Sequence, residues 1–221
     1  MAEANIRSGT ITGITPQRRN PNRVSIAIDG EFALGVDQSV AESSRLYVGQ
    51  WLSDDDLRRL AAADDRARAI EAGLRYLEYR PRSERETRQR LREKAYSPIA
   101  IDQAIEQLKA WKYLDDETFA RFWVENRQTF RPRGSRLLRS ELGAKGVPRE
   151  LASAVVEELG GDELPAALEL ARKRLASLQD LEPLVQRRRL SAFLQRRGYD
   201  WETVRSVLAE VLQAEPEDAG E

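Results

Sequence analysis

Polar and apolar positions change period once along this chain. Before residue 37 they alternate. Thr10, Ile11, Thr12, Gly13 and Ile14 read as one strand, and Val24, Ile26 and Ile28 alternate with polar neighbours as a half-buried strand does. Pro16 to Asn22 (PQRRNPN) reads as a turn-rich loop between them. Asp29-Gly30 then precedes Phe32, Leu34 and Val36, and a DG pair between alternating hydrophobics is a strong hairpin signal. Residues 8–36 are expected to form a small antiparallel sheet. Two or three strands are not stable alone. Trp51, Leu52 and a helix starting after Ser53 are therefore expected to cover one face. Ser53 suits an N-cap, and Asp54, Asp55 and Asp56 suit the positive end of that helix. A metal cluster is the weaker reading of the three acids, because consecutive helical residues do not face one another.

From Asp65 onward the period is helical. Ile70, Leu74 and Leu77 mark a stripe that ends at Arg80-Pro81. The segment RPRS at 80–83 returns as RPRG at 131–134, which points to an internal repeat. Leu91, Leu142 and Leu194 anchor three copies. Four residues on stand Ala95, Gly146 and Gly198, where a helix end wants a left-handed residue. Tyr96, Val147 and Tyr199 follow, then Ser97, Pro148 and Asp200, which suit the next helix start. Ile105, Val156 and Leu208, and then Leu108, Leu159 and Val211, keep the register.

Each copy reads as three helices: 66–79, 83–94 and 98–110; 116–130, 134–145 and 148–159; 162–177, 182–197 and 200–213. The expected fold is mainly α: three tandem three-helix repeats forming an elongated curved solenoid, preceded by a small N-terminal antiparallel sheet. The expected divisions are 1–62 (sheet and helix), 63–114, 115–160 and 161–213 (repeats), and 214–221, an acidic tail expected to be disordered.

Composition narrows the chemistry. There is no Cys and no His, which removes disulfides, thiolate catalysis, His-dependent triads and the usual zinc and copper ligands. Only carboxylate sites for magnesium or calcium stay open. No long apolar run is present, so a cytoplasmic chain without a membrane span is expected. Lys+Arg is 36 against 37 for Asp+Glu, so any basic surface must be local.

Arginine supplies that surface. Arg85, Arg136 and Arg188 share one repeat position on the middle helices, on the face away from the anchor leucines. Arg88 and Arg139 continue the face, Arg82 and Arg133 begin it, and Arg131 and Arg187 add to it. Arg189, Arg196 and Arg197 thicken the third copy. A solvated face explains any one of them, but the recurrence points to a basic ladder for phosphates or an acidic partner surface. Lys94, Lys145 and Arg197 stand at helix ends, where a cation complements the dipole. Trp111, Tyr113, Leu114, Phe119, Phe122 and Trp123 read as a core between repeats, with base stacking as the alternative. Asp115, Asp116 and Glu117 read as a cap and first-turn acids, with a nuclease metal site as the alternative.

These residues carry a resemblance. Arg82-Ser83, Leu91 and Lys94, then Tyr113-Leu114-Asp115-Asp116, Phe119-Ala120, Val124, Arg127, Gly134, Glu141-Leu142 and Lys145-Gly146-Val147 resemble the RecX family, regulators of the bacterial recombinase RecA. The resemblance covers roughly 66–212, and the N-terminal hairpin is similar to an extension found in some members. Ala95 departs from a typical glycine. The resemblance implies three three-helix repeats. It implies a monomer that binds RecA or its nucleoprotein filament, with single- or double-stranded DNA in or beside it. It further implies inhibition of recombinase, ATPase and co-protease activities in DNA repair and the SOS response. It implies no catalytic residue and no cofactor. The alternative from the residues alone is a helical-repeat protein that binds DNA directly through its arginines.

Overall fold

The computed structural model describes residues 7–18 and 20–213; the tail at 214–221 lies outside them. The chain divides into two compact units after Leu114.

The first unit opens with strands β1 (Gly9–Gln17), β2 (Asn20–Ile28) and β3 (Glu31–Asp37), then helix α1 (Gln38–Ser43) and the short strand β4 (Trp51–Leu52). They form one antiparallel sheet in the order β3-β2-β1-β4. Asp29 and Gly30 both have positive φ, as a two-residue hairpin turn requires. The loop expected at 16–22 is shorter than its composition suggests, because Gln17 already pairs with Asn20. Ladder hydrogen bonds satisfy the backbone whatever the side chains are, so both strands run on through polar residues. Ile11, Val24, Ile26, Ile28, Leu34 and Val36 form the buried face, against Leu52, Leu57 and Leu60.

The last two leucines belong to α2 (Asp54–Leu77). The helix expected after Ser53 and the one expected at 66–79 are a single 24-residue helix. Ser53 and Asp56 close a capping box at its start, and no Pro interrupts it. Its first half covers the sheet, while Ala69 and Ala72 enter the core of repeat 1. Asp64 is only 6% exposed and ties the helix to the sheet. Its carboxylate accepts from Arg23 Nη1 (2.9 Å) and Nη2 (3.0 Å) and from the Asp37 backbone N–H (2.7 Å).

Repeat 1 is completed by α3 (Glu84–Glu93) and α4 (Pro98–Ala110). The second unit holds repeat 2, with α5 (Asp116–Phe130), α6 (Ser135–Ala144) and α7 (Arg149–Gly160), and repeat 3, with α8 (Leu164–Leu175), α9 (Pro183–Arg196) and α10 (Trp201–Gln213). In every copy the first and middle helices pack on the third. Leu91, Leu142 and Leu194 are fully buried in three separate cores.

The middle helices end alike. The N–H of Tyr96, Val147 and Tyr199 donates to the carbonyl of Leu91, Leu142 and Leu194, at 3.4, 3.1 and 3.3 Å. The N–H of Ala95, Gly146 and Gly198 reaches the carbonyl of Arg92, Gly143 and Gln195. This double bond pattern is the Schellman motif, and all three residues have positive φ. Trp111 (50% exposed) and Tyr113 (63%) do not join a core, and the others do not form the single core between repeats expected of them: Leu114 packs in the core of repeat 1, Phe119 and half-buried Trp123 in the separate core of repeat 2. The turn after α4 puts Lys112 at positive φ and turns the neighbouring rings outward, while Leu114 turns in.

Three outcomes follow. Asp64→Ala removes the acid and leaves Arg23 partly buried without it, so urea denaturation will show a loss of about 3 kcal/mol. Ala95→Gly relieves a left-handed Cβ and will raise stability by about 1 kcal/mol, whereas Gly198→Ala, whose Cβ would collide with Leu137, will lower it by about 2 kcal/mol or more.

Candidate arginine interface

The structure sorts the nine candidate arginines into two groups. Arg85 on α3, Arg136 and Arg139 on α6, Arg187 and Arg188 on α9, and Arg131 at the end of α5 are exposed. The other three are half-buried and have internal neighbours. Arg88 donates from Nε to Glu84 at 2.8 Å and is paired with Asp102, tying α3 to α4. Arg82 lies over the Tyr76 ring, 4.3 Å from its centroid. Arg133 stands 3.9 Å from Glu141. That is within ion-pair range but too long for a hydrogen bond. Arg82 and Arg133 share a repeat position, and each has a buried Nε with no hydrogen-bond partner. Within the second unit, Arg136 and Arg139 meet Ser135, Ser153, Glu157 and Asp200 around a cleft of about 340 Å³.

Periodicity does not reveal a further cluster in repeat 2. Glu141 on α6 accepts from Trp123 Nε1 (2.9 Å) and Arg127 Nε (2.8 Å), both on α5. Arg127 and Lys145 also lie over the Trp123 ring, at 4.2 and 5.2 Å. The only sequence signal for this group is the four-residue spacing of Trp123 and Arg127; the carboxylate comes from another helix.

Repeats 2 and 3 join through main chain. The Gly134 N–H donates to the Arg197 carbonyl (2.9 Å) and the Arg136 N–H to the Gly198 carbonyl (3.3 Å). A Cβ on Gly134 would collide with Gly198. Ser135 hydrogen-bonds Glu163 through its N–H (2.6 Å) and its hydroxyl. Burial, and then the charge of Arg133, lower the pKa of Arg197. Burial, and then nearby Glu163, push the Tyr199 phenol up to about 12. Its hydroxyl is buried without a partner.

The acidic runs serve as caps. Asp56 closes the box with Ser53, Asp55 pairs with Arg58, and Asp54 accepts the Ser8 N–H at 2.6 Å. Asp115 accepts the N–H of Glu117 and Thr118. Lys94, Lys145 and Arg197 are the C-cap residues of α3, α6 and α9. Among the described residues no group of three or more potential metal ligands occurs, and no helix is long and apolar enough to cross a membrane.

The architecture defines a class first: a small antiparallel sheet followed by three three-helix repeats whose middle helices carry exposed arginine. Family models match each part in order. "Regulatory protein RecX N-terminal domain" covers 9–53, and the first, second and third three-helix domains of RecX cover 69–108, 115–156 and 162–208. A "Regulatory protein RecX" of Geobacillus kaustophilus is 33% identical over 207 residues, 91% of this chain and 77% of the relative. One of Bacillus licheniformis is 30% identical over 201 residues, 90% and 76%. The chain belongs to the RecX family of regulatory proteins. In fold it is similar to a crystal structure of regulatory protein RecX (TM-score 0.74, 23% identity, 93% of this chain and 99% of that one). It is also similar to RecX from Lactobacillus salivarius (TM-score 0.60, 20% identity, 67% and 97%).

Replacing Tyr199 by Phe removes a buried hydroxyl that bonds to nothing in the fold. Thermal and urea denaturation will show stability unchanged or raised by about 1 kcal/mol.

Proposed function

We propose that this protein binds the recombinase RecA and its nucleoprotein filament, and restrains recombinase, ATPase and co-protease activity during DNA repair and the SOS response. It acts in the cytoplasm, as a monomer and without catalysis of its own. Membership of the RecX family carries this reading, since the relatives are named regulatory proteins. The surface fits it: Arg85, Arg136 and Arg188 recur at one repeat position and all three are exposed. Three arginine-bearing helices on one chain offer three footholds on a polymeric partner. When one foothold is engaged, the others bind at raised effective concentration. Such a protein favours the polymer over its free subunit.

The test is RecA ATPase on single-stranded DNA, with and without the protein. Inhibition is expected, and Arg85→Glu, Arg136→Glu and Arg188→Glu combined are expected to weaken it roughly tenfold or more. Because all three side chains are exposed, the triple variant will keep its helical circular dichroism and melting temperature. Equal inhibition by a folded triple variant would reduce these arginines to a solvated face.

A further inference from the structure

We propose that the junction between repeats 2 and 3 is an oxyanion site in which Arg133 and Arg197 hold a phosphate group between them. Backbone geometry places the pair. Each arginine directly precedes a glycine, and the two glycines, Gly134 and Gly198, meet main chain to main chain. The bond from Gly134 N–H to the Arg197 carbonyl fixes that register. The Arg133 charge acts on Arg197, whose guanidinium lies over the Phe193 ring where burial already disfavours charge, and that is unfavourable until an anion joins them.

The carboxylates nearby have other work. Glu141 accepts from Trp123 and Arg127 through Oε2, and its Oε1 stays 3.9 Å from Arg133, in ion-pair range but short of a hydrogen bond. Glu163 takes the N–H and hydroxyl of Ser135. Asp200 accepts the Thr203 N–H at 2.8 Å. Two buried donors remain without an acceptor at this junction: the Arg133 Nε and the Tyr199 hydroxyl. Buried donors are almost always satisfied, and an orphan calls for an ion or a water. The Arg133 side chain is a quarter exposed while its Nε is not, so its tip lies at the surface with the unmet donor beneath.

A phosphate suits these donors. It presents several acceptor oxygens and matches the guanidinium fork bidentately. Exposed Arg131 and Arg196 stand close by in the chain and extend the basic rim. A protein carboxylate offers only two oxygens for the same donors. The phosphate can come from a nucleic-acid backbone or from a free oligophosphate; the chemistry is shared. The site lies wholly in the second unit and does not depend on RecA binding.

The full chain is titrated with inorganic pyrophosphate at constant ionic strength, read by melting temperature, and with a labelled single-stranded oligonucleotide, read by fluorescence anisotropy. Pyrophosphate is expected to raise the melting temperature, since a ligand that binds only the folded state stabilises it. Arg133→Gln and Arg197→Gln are each expected to cut affinity roughly tenfold. Each is also expected to reduce the salt slope of oligonucleotide binding by about 0.7. Arg205→Gln, exposed on α10, serves as the control and is expected to change neither. Loss confined to the oligonucleotide assigns the phosphodiester source, and loss confined to pyrophosphate assigns a free oligophosphate. The proposal is overturned if wild type binds neither probe, or if both Gln variants bind as wild type does. It is equally overturned if the variants lose RecA inhibition while phosphate and oligonucleotide binding are unchanged. That result would give the arginines to a protein carboxylate.

Discussion

Everything in the three repeats depends on how the middle helix stops. A leucine three residues before the C-cap is buried, and its carbonyl receives the N–H of the residue that follows a left-handed turn. The turn reverses the chain within two residues and starts the third helix against the same core. Without positive φ at 95, 146 and 198, the third helix would leave in another direction, and the first and middle helices would have nothing to pack on. Two copies use glycine for this. The first tolerates Ala95 at φ 60°, at a steric cost that its core offsets.

The same turns place charge. Lys94, Lys145 and Arg197 cap the middle helices, next to carbonyls that attract cations. In repeat 3 the turn residue is also the surface on which Gly134 rests, so one glycine ends a helix and joins two repeats. An interface built from main chain leaves no room for side chains between the segments and pushes their arginines to its rim. The basic character of this near-neutral protein is therefore local: acids are drawn into caps and helix–helix pairs, and arginines are left over at repeat edges.

Much of this was legible in the residues. The DG turn, the alternation of Val24, Ile26 and Ile28, and the Ser53 and Asp115 caps act within a few residues, and each is where its type predicts. The family resemblance drew on the same local marks and agrees with all four matched domain models. The failures have a common cause. Trp111 and Tyr113 have the composition of core, but the turn at Lys112 faces them outward. The break expected between a sheet-covering helix and a repeat helix is absent, because one helix spans both cores.

The arginines show the divide most clearly. Their recurrence at one repeat position was already visible in the chain, because a helix repeats its own faces. Which of them keep their charge for a partner was not visible. Arg88 is neutralised by Asp102 from the next helix, and Arg127 by Glu141 from another, while among the described residues Arg85 makes no ion pair and Arg136 only shares a cleft with Asp200. Helical period and caps are local energies, written in neighbouring residues. Partnering is a property of packing, and packing brings together residues that no spacing along the chain relates.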